Sequence, residues 1–382
     1  EIYRCDWSSD VCSSDLAYPA EPLLTNAYSA VFGKPSIIYP GYQLAYLPNP
    51  NLRWEKVEAW EAGFETNLLR NRLHFEGVYY KKNTKDLLAE VPGISGTIPG
   101  IGNLGEIQNK GVEMAVTWRD QIGDWGYSVS ANLTTIKNEV KSLVQEGYSI
   151  IAGDKQQSYT MAGYPIGYFY GYKVAGVYQS QADIDASPKN TLATVTPGDL
   201  KFADVNGDGE ITPEDRTMIG NPTPKVTYGF SLGVDYKNWE LGIDMMGQGG
   251  NKIFRTWDNY NFAQFNYLEQ RLDRWHGEGT SNTQPLLNTK HSINNLNSDY
   301  YIENGSFFRI RNVQLAYTFD KSLIAKIRLQ ALKVYVNIQN LKTWKHNTGY
   351  TPELGGTATA FGVDNGSYPV PAVYTFGINL TF

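Results

Sequence analysis

One stretch of this chain has the residue types and spacing of a metal site. In DVNGDGEITPED, Asp204, Asn206 and Asp208 put side-chain oxygens at the first, third and fifth positions of a loop. Gly209 supplies the sharp turn at the sixth, Glu210 offers its carbonyl at the seventh, and Asp215 closes the loop at the twelfth. Ca²⁺ takes six to eight oxygens at about 2.3–2.6 Å, and this spacing wraps the chain around one ion. The departure from the pattern is Asp in place of Glu at the closing position, a shorter arm. No flanking helices are evident. The expectation is a lone structural Ca²⁺ loop; an Asx-turn loop without metal reads the same way.

Other chemistry has little to stand on. The four histidines (His74, His276, His291 and His346) show neither HExxH nor another ligand spacing, and no GxSxG or GxxxxGK is present. No catalytic residue is assigned, and the chain is not expected to be an enzyme. Cys5 and Cys12 both lie in the opening EIYRCDWSSDVCSSDL. Every residue from Asp6 to Leu16 agrees with the in-frame translation of a common short-read sequencing adapter. Residues 1–16 therefore read as non-biological, and residues 17–382 as the protein, with its true N-terminus upstream. With those cysteines set aside there is no thiol nucleophile. Aromatic runs at Tyr164–Tyr172, Trp257–Tyr260 and Phe262–Tyr267 have the chemistry to stack on sugar rings; the plainer expectation is that they pack loops together.

The elements that position these loops are strands of period two. At the end of the chain, Ala372, Tyr374, Phe376, Ile378, Leu380 and Phe382 alternate with Val373, Thr375, Gly377, Asn379 and Thr381. One face is apolar and aromatic, the other small and mostly polar, as for a strand between two solvents. The same alternation recurs around 60–68, 73–80, 112–118, 125–133, 226–236, 239–245, 313–319 and 334–338, about nine strands in all. The opposite face carries Gly, Ser, Thr and Asn with Glu61, Glu65, Glu113, Glu240 and Asp244. Charge at a bilayer midplane costs about 2–4 kcal/mol for basic residues and somewhat less for acids, so that face meets water or a plugged lumen.

Connections alternate short and long: Arg70–Arg72, Asp120–Asp124, Lys237–Asn238 and Lys321–Leu329 against a Gly- and Pro-rich loop at 91–106 and loops near 143–223, 248–305 and 342–370. Short periplasmic turns and long external loops are the rule of outer-membrane barrels. The expected fold is thus all-β, part of a large antiparallel transmembrane barrel, with the last strand running inward to Phe382. Residues 17–53, with many prolines, read as loop. Bulk composition agrees. Tyr is 27 of 382 residues against Met 5, which suits interfacial side chains with an apolar body and a polar tip. No apolar run of about 18 residues exists, so a helical span is excluded. The net charge of -6 argues against a nucleic-acid surface.

In order along the chain stand NPNLRWEK, GFETNLLRNRLHFEGVYYKKNTKDLL, NKGVEMAV, and FADVNGDGEITPEDRTMIGNPTPKVTYGFSLGVDYKNWELGIDMMGQGGNKIF, with a terminal Phe. This order resembles the SusC/RagA-type TonB-dependent outer-membrane transporters over nearly all of residues 17–382. The resemblance implies a 22-stranded barrel in the cell outer membrane, of which this chain is the C-terminal part. It also implies an N-terminal plug, a SusD-like surface lipoprotein as partner, TonB with ExbB and ExbD as energy source, and an oligosaccharide or peptide as cargo. No substrate-contacting residue carries over. The alternative is a surface β-domain that binds glycans without transporting them.

Overall fold

The computed structural model describes residues 24–32, 37–44, 49, 52–91, 100–103, 105–143, 147–257, 267–287, 292–325 and 328–382. The adapter-like residues 1–16, with both cysteines, lie outside these, as do His291 and most of the two later aromatic runs. Ten strands form the main sheet: β1 (Lys56–Leu68), β2 (Leu73–Lys85), β3 (Gly105–Ile122), β4 (Trp125–Thr135), β5 (Lys137–Leu143), β6 (Val226–Tyr236), β7 (Trp239–Gly249), β8 (Phe307–Thr318), β9 (Ala331–Lys345) and β10 (Val373–Thr381). Their spatial order is β10-β9-β8-β7-β6-β4-β3-β2-β1, each antiparallel to its neighbours, while β5 extends β4 along β3. Chain order and spatial order coincide, as in a meander. The sheet is open: β1 and β10 stand at opposite ends.

All nine strands expected from the alternation are present, and the register keeps their two faces separate. Leu232 pairs with Val129 and Ile243, Ile243 with Val313, Val313 with Ile338, and Ile338 with Tyr374, so an apolar row crosses six strands. These side chains point away from the rest of the protein. Trp60 is 59% exposed, Phe64 63%, Phe376 67% and Tyr374 69%, fractions no water-soluble sheet would choose for a whole face.

Two aromatic rows bound that face. Near the short turns, Trp125 stacks on Tyr236 at 4.2 Å, Trp239 meets Tyr317 at 4.8 Å, and Tyr236 pairs with Trp239 in register. Toward the long connections, Tyr228, Phe308 and Trp344 form a second row, with ring centroids 6.5 and 5.7 Å apart. Tyr228 and Tyr236 are eight residues apart on β6, roughly 27 Å of strand, or about 20 Å along the axis of a barrel whose strands tilt by 35–45°. That approaches the apolar band of about 25 Å typical of outer-membrane barrels.

The turns on one side are tight. Lys237 takes φ +53° in the two-residue turn between β6 and β7, and the β3–β4 turn is Gly123–Asp124 alone, shorter than the expected Asp120–Asp124 because both strands run further. Between β8 and β9 a short helix, Lys321–Ile324, fills the turn.

Two segments expected as loop are hairpins instead. Leu24–Phe32 pairs antiparallel with Ile37–Leu44, and Leu88–Val91 pairs with Gly100–Asn103. Proline misled the reading of the first: Pro40 sits opposite Ser29 on a strand with one neighbour, where a missing N–H costs a ladder bond only if it faces that neighbour.

Candidate functional site

The polar face of the sheet carries a chain of hydrogen bonds across four strands. Ser231 Oγ on β6 donates to Asp244 Oδ1 on β7 at 2.7 Å, Asn312 Nδ2 on β8 donates to Asp244 Oδ2 at 3.4 Å, and Asn337 Nδ2 on β9 donates to Asn312 Oδ1 at 2.7 Å. Nearby, Lys333 meets Glu240 at 2.5 Å and Thr117 meets Ser130 at 2.9 Å. Small residues leave room above this face: Gly229, Gly233 and Gly242 share it, and a Cβ at Gly233 would press on Ser128. The sequence-predicted acids Glu61, Glu65, Glu113, Glu240 and Asp244 all lie on this face.

A cleft of about 920 Å³ opens here, lined by Asn132, Ser231, Asp244, Arg309, Asn312 and Glu353 among others. A bulge shapes its rim. Against β7 the register slips between Asp244 and Met245, so Arg311 is an extra residue there, while against β9 it faces two residues, Asn340 and Leu341, of which Asn340 takes φ +52°. The slip turns Asn312 to the polar face while Ile310 stays on the apolar one, which is how a bulge re-aims a side chain. Arg309 is held beneath by Thr343 Oγ1 at 2.7 Å and by an ion pair to Glu353, which reaches in from the 346–372 connection. The cleft therefore offers amides, a hydroxyl and both charges, suited to a polar polymer rather than an apolar one.

The long connections fold into a body of their own. Tyr172, Val177, Leu200, Phe202, Ile211 and Ile293 form one core, Phe169, Phe254 and Tyr301 another. The run Tyr164–Tyr172 is largely consumed in this packing: Tyr168, Phe169 and Tyr172 are buried, and Tyr172 stacks on Phe202 at 4.8 Å. Three connections meet around Lys252–Arg255: this strand pairs with Ile302–Asn304 of its own connection and with Val363–Asp364 of the last one, and Phe254 packs on Phe169 of the first at 5.6 Å. Arg255 and Glu303 form a buried ion pair at 3.0 Å, and the Thr348 N–H donates to Glu303 Oε2 at 3.0 Å. Neither this cluster nor the buried Asp199–Asn294 contact at 2.9 Å was legible beforehand, since the partners lie 48 and 95 residues apart.

The candidate metal loop projects from this body. The Asp204 carboxylate accepts from the N–H of Gly207 at 2.6 Å and of Gly209 at 2.8 Å. Asn206 and Asp208 accept from Asp208 and Glu210 backbone donors, and Asn206 Nδ2 reaches Asp208 Oδ2 at 2.9 Å. These side chains are exposed at the tip. Asp215 is buried below them, capping Pro213–Asp215 and accepting from the backbone of Val205 at 2.8 Å and Thr212 at 2.8 Å. Burial opposes its ionisation, but the N–H donors of Thr212, Val205 and Asn206 outweigh that and hold the carboxyl below the usual range. Among the described residues no three His, Cys, Asp or Glu side chains are gathered as a metal-holding group.

The comparisons with known proteins agree with this geometry. The family described as TonB dependent receptor-like, beta-barrel matches residues 21–341. The chain belongs to that family. It is 30% identical to a TonB-dependent receptor of Formosa agariphila over 90% of its length, and 26% identical to the TonB-dependent receptor SusC of Bacteroides thetaiotaomicron over 87%. In fold it matches the structure of the RagAB peptide transporter with a TM-score of 0.76 at 24% identity, covering 96% of this chain. It spans only 36% of the first relative, 32% of SusC and 38% of that solved chain. The sheet is thus wall of an integral outer-membrane β-barrel, its apolar face toward lipid and its polar face toward the lumen.

Proposed function

We propose that this chain is barrel wall of a TonB-dependent importer that carries an oligosaccharide or peptide across the outer membrane. The reading rests on one observation above the rest: a TonB-receptor barrel sheet whose lumen face is mostly polar and carries a wide cleft. An energised importer needs such a surface to pass large hydrophilic cargo, whereas a glycan-binding domain in water has no use for an exposed aromatic face opposite. Relatives named SusC and RagAB support a SusD-like lipoprotein above the loop body and TonB, ExbB and ExbD below. Deleting the gene should abolish growth on one polymeric nutrient and spare its monomer. Normal uptake in the deletion strain would count against import and in favour of the binding domain.

The loop at the tip is proposed to take Ca²⁺ as a structural ion. Its donors would be Asp204, Asn206, Asp208 and the Glu210 carbonyl, with Asp215 in a supporting place, since its oxygens already serve the backbone. A carboxylate has about four lone-pair sites, so the turn bonds at Asp204 and Asp208 leave room for an ion. Calorimetry of the full-length protein should show heat with millimolar Ca²⁺ that Asp208→Ala removes. No heat in either protein would remove the ion from the account.

A further inference from the structure

On the lipid side, just beyond the apolar band, three lysines stand in one cross-strand row. Lys81 on β2 pairs with Lys110 on β3, and Lys110 pairs with Lys137 on β5. The register runs unshifted from the apolar positions Gly77, Tyr79, Met114 and Val112, so the three ammonium groups share the face of those residues. Like charges directly opposite one another destabilise a sheet. Here the penalty falls twice in succession, at an edge where low-dielectric lipid strengthens the repulsion.

The neighbouring acids relieve it only in part. One row further out lie Glu58, Asn83, Gln108 and Glu139. Glu58 is taken by Lys85 at 2.7 Å and Glu139 by Lys141 at 2.6 Å; Gln108 donates to Asn83 at 3.0 Å. Lys110 and Lys137 act on Glu139 only at longer range. Among the described residues, the ammonium groups of Lys81, Lys110 and Lys137 have no hydrogen-bonded acid. On β1 the row continues into Trp60, which pairs with Lys81 in register and meets Tyr79, the next residue of that face on the band side, edge-on at 5.8 Å.

Height completes the argument. Lys81 lies eight residues above Leu73, where β2 leaves the short turn, so about 20 Å of tilted strand separates it from the inner rim. That places the row at the outer limit of an apolar band about 25 Å tall, on the side of the long connections. Aromatic side chains mark headgroup level, and lysine stems snorkel toward it.

We propose that Lys81, Lys110 and Lys137 form a binding site for the phosphate monoester of a lipid headgroup in the outer leaflet, with Trp60 beside it and Tyr79 against the lipid below. A phosphate carries one to two negative charges and three acceptor oxygens, enough to bridge three ammonium groups that otherwise repel. The commitment is to a membrane lipid, because the row borders an exposed apolar surface on which a free anion has nothing to gain.

The test uses the full-length protein reconstituted in phosphatidylcholine nanodiscs doped with lipid A or with its dephosphorylated form, read by native mass spectrometry. The wild type should retain the phosphorylated lipid preferentially. The triple variant Lys81→Gln, Lys110→Gln, Lys137→Gln should lose about a hundredfold in retention, at roughly a tenfold loss or less for each cation near a membrane surface. The triple Lys→Arg variant, which keeps the charge, should retain it. Heat-modifiable migration reports folding of each variant, and Lys110→Gln alone serves if the triple does not assemble. Equal retention of the two lipids by the wild type would overturn the proposal, as would unchanged retention in the Gln variants.

Discussion

Asp215 shows how one carboxylate can shape a loop from beneath. Its oxygens gather N–H groups from Val205, Asn206 and Thr212, joining the first residues of the turn to the last. Asp215→Ala would take the charged acceptor from those part-buried donors, at a cost of about 1–3 kcal/mol felt locally. Limited proteolysis should then cut near Gly207 in the variant under conditions that spare the wild type. The pH dependence has a definite sign. A carboxyl whose folded pKa is depressed contributes stability above its unfolded value, about pH 4, and loses it as pH falls through the lower folded value. Hydrogen-exchange protection of the loop should therefore hold down to about pH 4 and fade below it. Arg255 is the contrasting case: its pairing with Glu303 is buried on both sides, so Arg255→Ala leaves a buried carboxylate held by Thr348 alone and without its counter-charge, at a cost of about 3–5 kcal/mol. That loss should loosen the junction of three loops and spare the sheet, as seen in exchange rates confined to 252–255, 302–304 and 363–364.

At the scale of elements, strand positions carry opposite tolerances at neighbouring residues. Ile243 sits mid-band with Leu232 and Val313 beside it, while Asp244 next in chain faces the lumen. Ile243→Arg should cost about 2–4 kcal/mol in a folding titration into bilayers, and Asp244→Asn well under about 1 kcal/mol. This period of two is also why the sheet was legible. Tyr228 to Tyr236 and Trp239 to Met245 announce their faces residue by residue, and the short turns between such runs fix which strands pair. The hairpins at Leu24–Leu44 and Leu88–Asn103 were not legible, because Pro40 and a Gly-rich joint carry turn signals inside short strands. The loop body was hidden for another reason. Its core brings Tyr172, Leu200 and Ile293 together from distant segments with no local period, so only tertiary packing defines it. Of the candidate site, the spacing Asp204–Asp215 was plain in sequence, but not that Asp215 is buried and serves the backbone. The cleft rim at Arg309, Arg311 and Glu353 depended on a bulge that no residue pattern marked.

At the scale of the whole molecule, the chain is wall between two solvents, with a packed loop body on one side and tight turns on the other. The chain spans 32–38% of the relatives and solved chain it matches, so the importer is proposed for the longer protein these relatives represent. Everything else depends on which solvent meets which face, an assignment that β6 exposes residue by residue. Single spin labels placed in turn at Phe230, Ser231, Leu232, Gly233, Val234 and Asp235 of the full-length protein in bilayers would report collisions with oxygen and with a water-soluble nickel chelate. This assignment places oxygen maxima at Phe230, Leu232 and Val234 and nickel maxima at Ser231, Gly233 and Asp235. Nickel access at Phe230, Leu232 and Val234 equal to that at their neighbours would contradict it.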